Sequence, residues 1–200
     1  MSTNNPHGFT EHRHLGGRVN PSTRWYQVKA NGASGSHFKF PGDPVLLVSG
    51  NSVARIPVAA TAAPIPLVGV IRACYTGTKR PLTFNQPSVG GGFIPASTAG
   101  WVEVNVDPFQ TYLVNTDATV NSAIIGNFVD ITAGVPSTAA GRSGMSIEVA
   151  TCAISVSANA VVSQFQVIAI GDDNLDGIIG GENNQDVEVK IAHHAFNLVR

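Results

Sequence analysis

Short runs in which apolar and polar residues alternate, cut by glycine and proline, constrain this chain more than any other feature. "WVEVNVD" puts Val102, Val104 and Val106 on one face and Glu103, Asn105 and Asp107 on the other, the period of two of a half-buried strand. "MSIEV" repeats the pattern with Met145, Ile147 and Val149, "CAISVSA" with Cys152, Ile154 and Val156, and "QFQVIAI" with Phe165, Val167 and Ala169. "DVEVKIA" does so with Val187, Val189 and Ile191, while "PVLLVSG" and "PLVGVIRA" are fuller apolar runs of strand length. Successive strand side chains point to opposite faces, so each run has one face that must be covered. Runs about ten residues apart with turn residues between them predict an all-β chain, an antiparallel β-sandwich or barrel. Only "TDATVNSAIIG" offers a helix start, an apolar stripe and a stop, with Thr116 or Asp117 as N-cap and Gly126 past the end, so at most one short helix is expected.

The 200 residues fit one domain with a core of its own. The opening "MSTNNPHGFTEHRHLGGRVNPSTRW" lacks apolar periodicity. Ordering it costs about 1–2 kcal/mol of backbone entropy per residue, and Phe9, Leu15 and Val19 carry too little apolar surface to offset that. The expectation is an extended N-terminal arm over residues 1–24, ordered only against a neighbouring subunit, and a β domain over residues 25–200.

Charge narrows the function classes. Charged residues are 12% of the chain, against about 25% in an ordinary soluble domain. The net charge is −1 and no basic run is longer than Lys79-Arg80, which argues against nucleic acid as a partner. The most apolar stretch, residues 56–71, is too short for a membrane span and is broken by Pro57, Pro64 and Pro66. Met1 is followed by polar residues rather than a basic start and apolar core, so no secretory signal is expected and synthesis is placed in the cytoplasm. Cys74 and Cys152 sit apart among apolar neighbours and are expected as reduced core residues.

No catalytic constellation stands out. "GASGS" and "GRSGM" do not match G-x-S-x-G, and neither a phosphate-binding G-x-x-x-x-G-K-[ST] nor H-E-x-x-H occurs. The "VGGGF" cluster at 89–93 lacks the following helix that an anion cradle needs. His12 with His14, and His193 with His194, have no acidic or Cys neighbour to complete a metal site and are expected as polar contact residues. Turn chemistry accounts for Asp43, Asp107 and Asp130. In "GDDNLDGIIGGENN", Asp172, Asn174, Asp176 and Gly177 match the opening of a calcium loop. Position twelve, however, is Asn183 where a bidentate Glu is needed, and the flanks alternate as strands. A hairpin tip is expected there, with Asp172, Asn174 and Asp176 the only residues put forward for calcium. No enzyme and no cofactor is predicted.

The motifs follow one another in the order "GFTEHRHLGG", "FPGDPVLLVSGN", "IPLVGVIRA", "VEVNVDPFQTYLV", "AIIGNFVDITAGVPSTAAGRSGMSIEV", "FQVIAIGDDN" and "VEVKIAHHAF". This series, spanning the chain from about Pro6, resembles the capsid decoration or cement proteins of tailed bacteriophages. The resemblance implies an all-β protein on the outer surface of an icosahedral head, commonly a homotrimer, that braces adjoining major capsid protein subunits and has no catalytic residues. The chain departs from the family pattern over residues 75–98 and at the Gly-rich end of the last loop. With the arm reading, Phe9, His12, Arg13, His14, Leu15, Arg18 and Arg24 become the expected capsid or subunit contacts, the arginines pairing with acidic groups. The alternative is a carbohydrate- or receptor-binding β-module, with or without calcium at the 171–184 tip. It would need exposed aromatics, and only Phe93 and Trp101 lie near the Gly-rich loop. A small hydrolase is a third reading.

Overall fold

The computed structural model describes residues 8–17, 22–32, 37, 39–56, 66–82, 92–133, 136, 138, 141–153, 163–170 and 185–196, without the side chains of 133 and 151–153. Eleven strands run through these residues: β1 (Thr10–His14), β2 (Thr23–Val28), β3 (Pro44–Val48), β4 (Ser52–Arg55), β5 (Leu67–Tyr75), β6 (Gly100–Asn105), β7 (Gln110–Asn115), β8 (Phe128–Ala133), β9 (Met145–Ala153), β10 (Phe165–Ile170) and β11 (Asp186–Ile191). The protein is all-β, as the alternation predicts. Strands β2 to β6 close into a barrel in the order β2-β4-β3-β5-β6, and the rest form a six-stranded sheet in the order β1-β7-β11-β10-β8-β9. All sheet pairs are antiparallel. The barrel's β2–β4 seam is parallel, through Gln27 and Ser52.

The alternating runs bury the faces assigned to them, with Val149 and Ala169 half-buried, and the side chains of Cys152, Ile154 and Val156 lie outside the described residues. Val102, Val104 and Val106 lie in the barrel core with Val45, Val53, Val68 and Ile71. Met145, Ile147, Phe165, Val167, Val187, Val189 and Ile191 form the sheet core with Tyr112. The two units are joined because Ile56, Leu67 and Val70 of the barrel pack into the sheet core. Strand β5 thus feeds both cores, Leu67 and Val70 one way, Val68 and Ile71 the other. Gly69, between them, lets β5 press on β6, since a Cβ there would stand 1.8 Å from the Asn105 carbonyl oxygen.

Three expectations are corrected. Residues 8–17 are not a separate arm: β1 pairs with β7, Phe9 N–H donates to the Gly42 carbonyl at 3.0 Å, and the Phe9 ring is buried against Phe165, 4.5 Å between centroids. The β domain therefore starts before residue 25, and that boundary also cuts through β2. Counting apolar side chains alone missed the ladder to β7, whose shared hydrogen bonds help offset the ordering entropy. The helix expected over "TDATVNSAIIG" is a single 3-10 turn, Ser122–Ile124, capped by Asn121 through the Ala123 N–H. Thr116 and Asp117 are drawn away, Thr116 into a bridge with Ile147 and Asp117 into accepting from the Val149 N–H. Asp130 belongs to β8, not to a turn. Strands β10 and β11 pair as the two arms of a hairpin, but Asp172, Asn174 and Asp176 at its tip lie outside the described residues, as do Arg18 and most of the "VGGGF" cluster.

Candidate interaction surfaces

The carboxyl end of β1 meets the turn between β6 and β7. His14 Nε2 lies 3.1 Å from Asp107 Oδ2, off the line of a well-formed hydrogen bond. Its Nδ1 accepts from the Gly16 N–H at 3.0 Å, which leaves the ring proton on Nε2, facing Asp107. Asp107 also accepts from the Phe109 N–H, and its own N–H donates to Asn105 Oδ1. Asn105 Nδ2 in turn donates to Glu11 of β1. This chain of polar contacts explains why Asn105 and Asp107, on the outward face of "WVEVNVD", are nevertheless buried.

Over this polar base stand large apolar side chains. Leu15 is 47% exposed, Phe109 58% and Phe196 45%. The Leu15 N–H donates to the Phe109 carbonyl, the Phe109 ring lies 6.2 Å from that of His14, and Phe196 packs 5.7 Å from His194 with the Arg24 guanidinium 5.1 Å above it. Burial holds the His194 imidazole below its ordinary pKa, and the opposing pull of Asp107 ties it electrostatically to the same site. Nearby, Arg13 grips Glu188 with two charge-assisted bonds, Nε to Oε1 at 2.7 Å and Nη2 to Oε2 at 2.6 Å. Glu188 is buried and Arg13 half exposed, so this arginine serves the fold while still facing outward.

Of the contacts expected from the sequence, the structure brings His14, Leu15 and Arg24 to this surface, leaves His12 exposed on β1, and puts Arg13 beside it. Phe9 is corrected: it is a core residue and is not available for contact. Phe109 and Phe196 were missed. Phe109 stands in "DPFQ", where a turn after a strand exposes the next residue, and Phe196 closes an irregular stretch without periodicity.

A second surface lies on the barrel. Trp25 and Tyr75 have ring centroids 4.2 Å apart, and the Lys79 ammonium lies 4.3 Å from the Trp101 ring and 5.6 Å from that of Trp25. Sequence alternation holds the signal for it: Trp101 is in phase with Glu103, and Trp25 with Gln27, on outward faces. Phe93, offered as an exposed aromatic, is instead buried and stacked on Phe40.

Other polar groups among the described residues are packed into the fold. Asp43 is wholly buried, accepting from Ser143 Oγ at 2.6 Å and from the Phe40 N–H, with Arg55 Nε at 3.4 Å, and so fastens the start of β9 to the barrel. Burial drives its carboxyl above the ordinary range, against the pull of Arg55. Cys74 is a free thiol whose burial raises its pKa, leaving a poor nucleophile. An open cleft of about 590 Å³ between β1 and the barrel is lined in part by Glu11, Arg72, Arg142 and Asp186. Its carboxylates are engaged, Glu11 by Asn105 and Asp186 by Asn115. Among the described residues no group of three or more His, Cys, Asp or Glu could hold a metal, and no helix is long and apolar enough to cross a membrane. No family model, curated protein or solved structure matches the chain.

Proposed function

We propose that this chain is a non-enzymatic virion protein that decorates the icosahedral capsid of a tailed bacteriophage, bracing adjoining major capsid subunits from outside as a homotrimer. Three features support the reading: the ordered motif series from "GFTEHRHLGG" to "VEVKIAHHAF", the low charge, and the all-β fold. The observation that carries it in the structure is the surface formed by Leu15, Phe109, Phe196 and Arg24. Three large apolar side chains held over a fixed polar base are out of place in water and suit burial against another protein. Aromatic and arginine side chains are also the residue types that dominate binding energy at interfaces. His12 and Arg13 flank the surface and supply its polar rim.

The test is reconstitution. Heads of the encoding virus, assembled without this protein, should take up the purified chain in regular positions visible by electron microscopy, and light scattering should give a trimer. Heads that bind none of it, or a chain that is monomeric both free and on heads, would overturn the proposal.

A further inference from the structure

Both tryptophans of the chain stand on one outward face of the barrel. Trp25 of β2 lies opposite Glu103 of β6, and Trp101 of β6 lies opposite both Gln27 of β2 and Tyr75 of β5. Residues opposite one another on adjacent strands share a face, so three strands present Trp25, Trp101 and Tyr75 as one aromatic surface. Trp25 is 39% exposed. The turn after β5 then brings a cation to the rings. Lys79 adopts φ +59, a left-handed conformation uncommon outside glycine, held by its N–H donating to the Thr76 carbonyl.

The polar groups around the rings are not balanced. Glu103 is the carboxylate of this face, and it is engaged: Tyr75 OH donates to Oε2 at 2.9 Å, and Arg72 Nη1 lies 3.9 Å from Oε1. Lys79 and Arg80, both exposed, have no carboxylate partner among the described residues. A tilted aromatic cluster with surplus positive charge over it, and an exposed arginine next in the chain, fits a ligand that has an apolar face and an anionic group.

We propose that this face binds an acidic saccharide. The C–H face of a pyranose ring stacks on the exposed Trp25, whose ring offers large apolar area beside water, and Lys79 turns from over the Trp101 ring to meet the ligand's anionic group. Ring hydroxyls bond to Gln27 and Glu103, and a uronate carboxylate pairs with Lys79 and Arg80. A neutral sugar forgoes the ion pairs, and a cationic ligand would have to displace Lys79 and meet its charge. The site adds to the capsid reading without resting on it.

The full chain titrated with trigalacturonate tests this by intrinsic tryptophan fluorescence, which reports only on this face because both tryptophans belong to it. The expected result is a saturable change, with neutral maltotriose binding at least about tenfold more weakly. Lys79→Gln and Arg80→Gln should each weaken trigalacturonate by about three- to tenfold. Trp25→Ala should abolish binding, with Trp101 left as reporter. If Trp25→Ala fails to fold, the two charge variants decide. The proposal falls if trigalacturonate gives no saturable change, if maltotriose or tetramethylammonium binds as tightly, or if the charge variants bind as the unaltered chain does. Head uptake reads a different surface, so failure here and failure of the capsid proposal are distinguishable.

Discussion

The barrel and the six-stranded sheet solve the same problem differently. Closure of β2 to β6 leaves the barrel without an edge, so it can meet a ligand only through side chains on its outer face, as Trp25, Tyr75 and Trp101 do. The sheet stays open, with β1 and β9 at its margins. Its β1 margin carries Glu11, His12 and Arg13, charged or polar residues of the kind that keep an edge from pairing with stray strands, and its pairing with β7 is irregular between Glu11 and His14. The contrast shows how one chain keeps two exposed surfaces apart: a tilted polar-aromatic cluster on the outside of the closed unit, and an apolar knob where the end of β1 meets the β6–β7 turn.

The largest expected effect concerns whether β1 belongs to the sheet. Phe9→Ala removes a ring packed between Tyr112 and Phe165 and should cost about 3–5 kcal/mol in urea denaturation. Deleting residues 1–14 should lower the melting temperature further or prevent folding. A deletion that left the melting temperature unchanged would return β1 to the status of an arm. Next, Arg13→Ala strands the buried Glu188 carboxylate and should cost about 1–3 kcal/mol. Adding Glu188→Gln should recover part of that loss, and an equal or greater loss in the double variant would show that the pair does not fix β1.

Acidity separates the two units further. In the barrel, burial lowers the Lys39 pKa from 10.5 to about 8, so the folded state holds fewer protons than the unfolded one and stability rises with pH between about 8 and 10.5. Below that window the buried charge is a burden, and Lys39→Met should be at least as stable as the unaltered chain at pH 7 and lose its advantage towards pH 10. Melting curves that keep a constant gap across that range would refute this. At the junction with the sheet, His194 is likewise depressed by burial from 6.5, so its contribution is present above that value and is lost as pH falls below it. His194→Asn should flatten the acid side of the stability profile. The smallest effect is on the knob itself: Leu15→Ser and Phe109→Ser should change stability by no more than about 0.5 kcal/mol, since both side chains are half exposed.

Period-two runs made the strands and their buried faces legible, because a half-buried strand repeats its demand at every second residue. The exceptions mark where distant residues meet. Glu188, on the polar face of "DVEVKIA", is buried because Arg13 reaches it from 175 positions away. Asn105 and Asp107 are buried because β1 crosses over them. Such pairings have no local signature, which is also why "GFTEHRHLGG" reads as an arm from its own composition. A barrel was one of the two architectures expected, but which strands close it was not legible: the alternation of β2 to β6 does not say that β6 returns to β2. The aromatic face, by contrast, could have been found by following the outward phase of Trp25 and Trp101.

The capsid reading is tested most directly by sedimenting heads that lack the protein with three versions of it. The unaltered chain and Trp25→Ala should pellet with the heads, whereas the Phe109→Ser/Phe196→Ser double variant, folded by circular dichroism, should stay in the supernatant. Uptake of the double variant equal to that of the unaltered chain, or no uptake of any version, would contradict it.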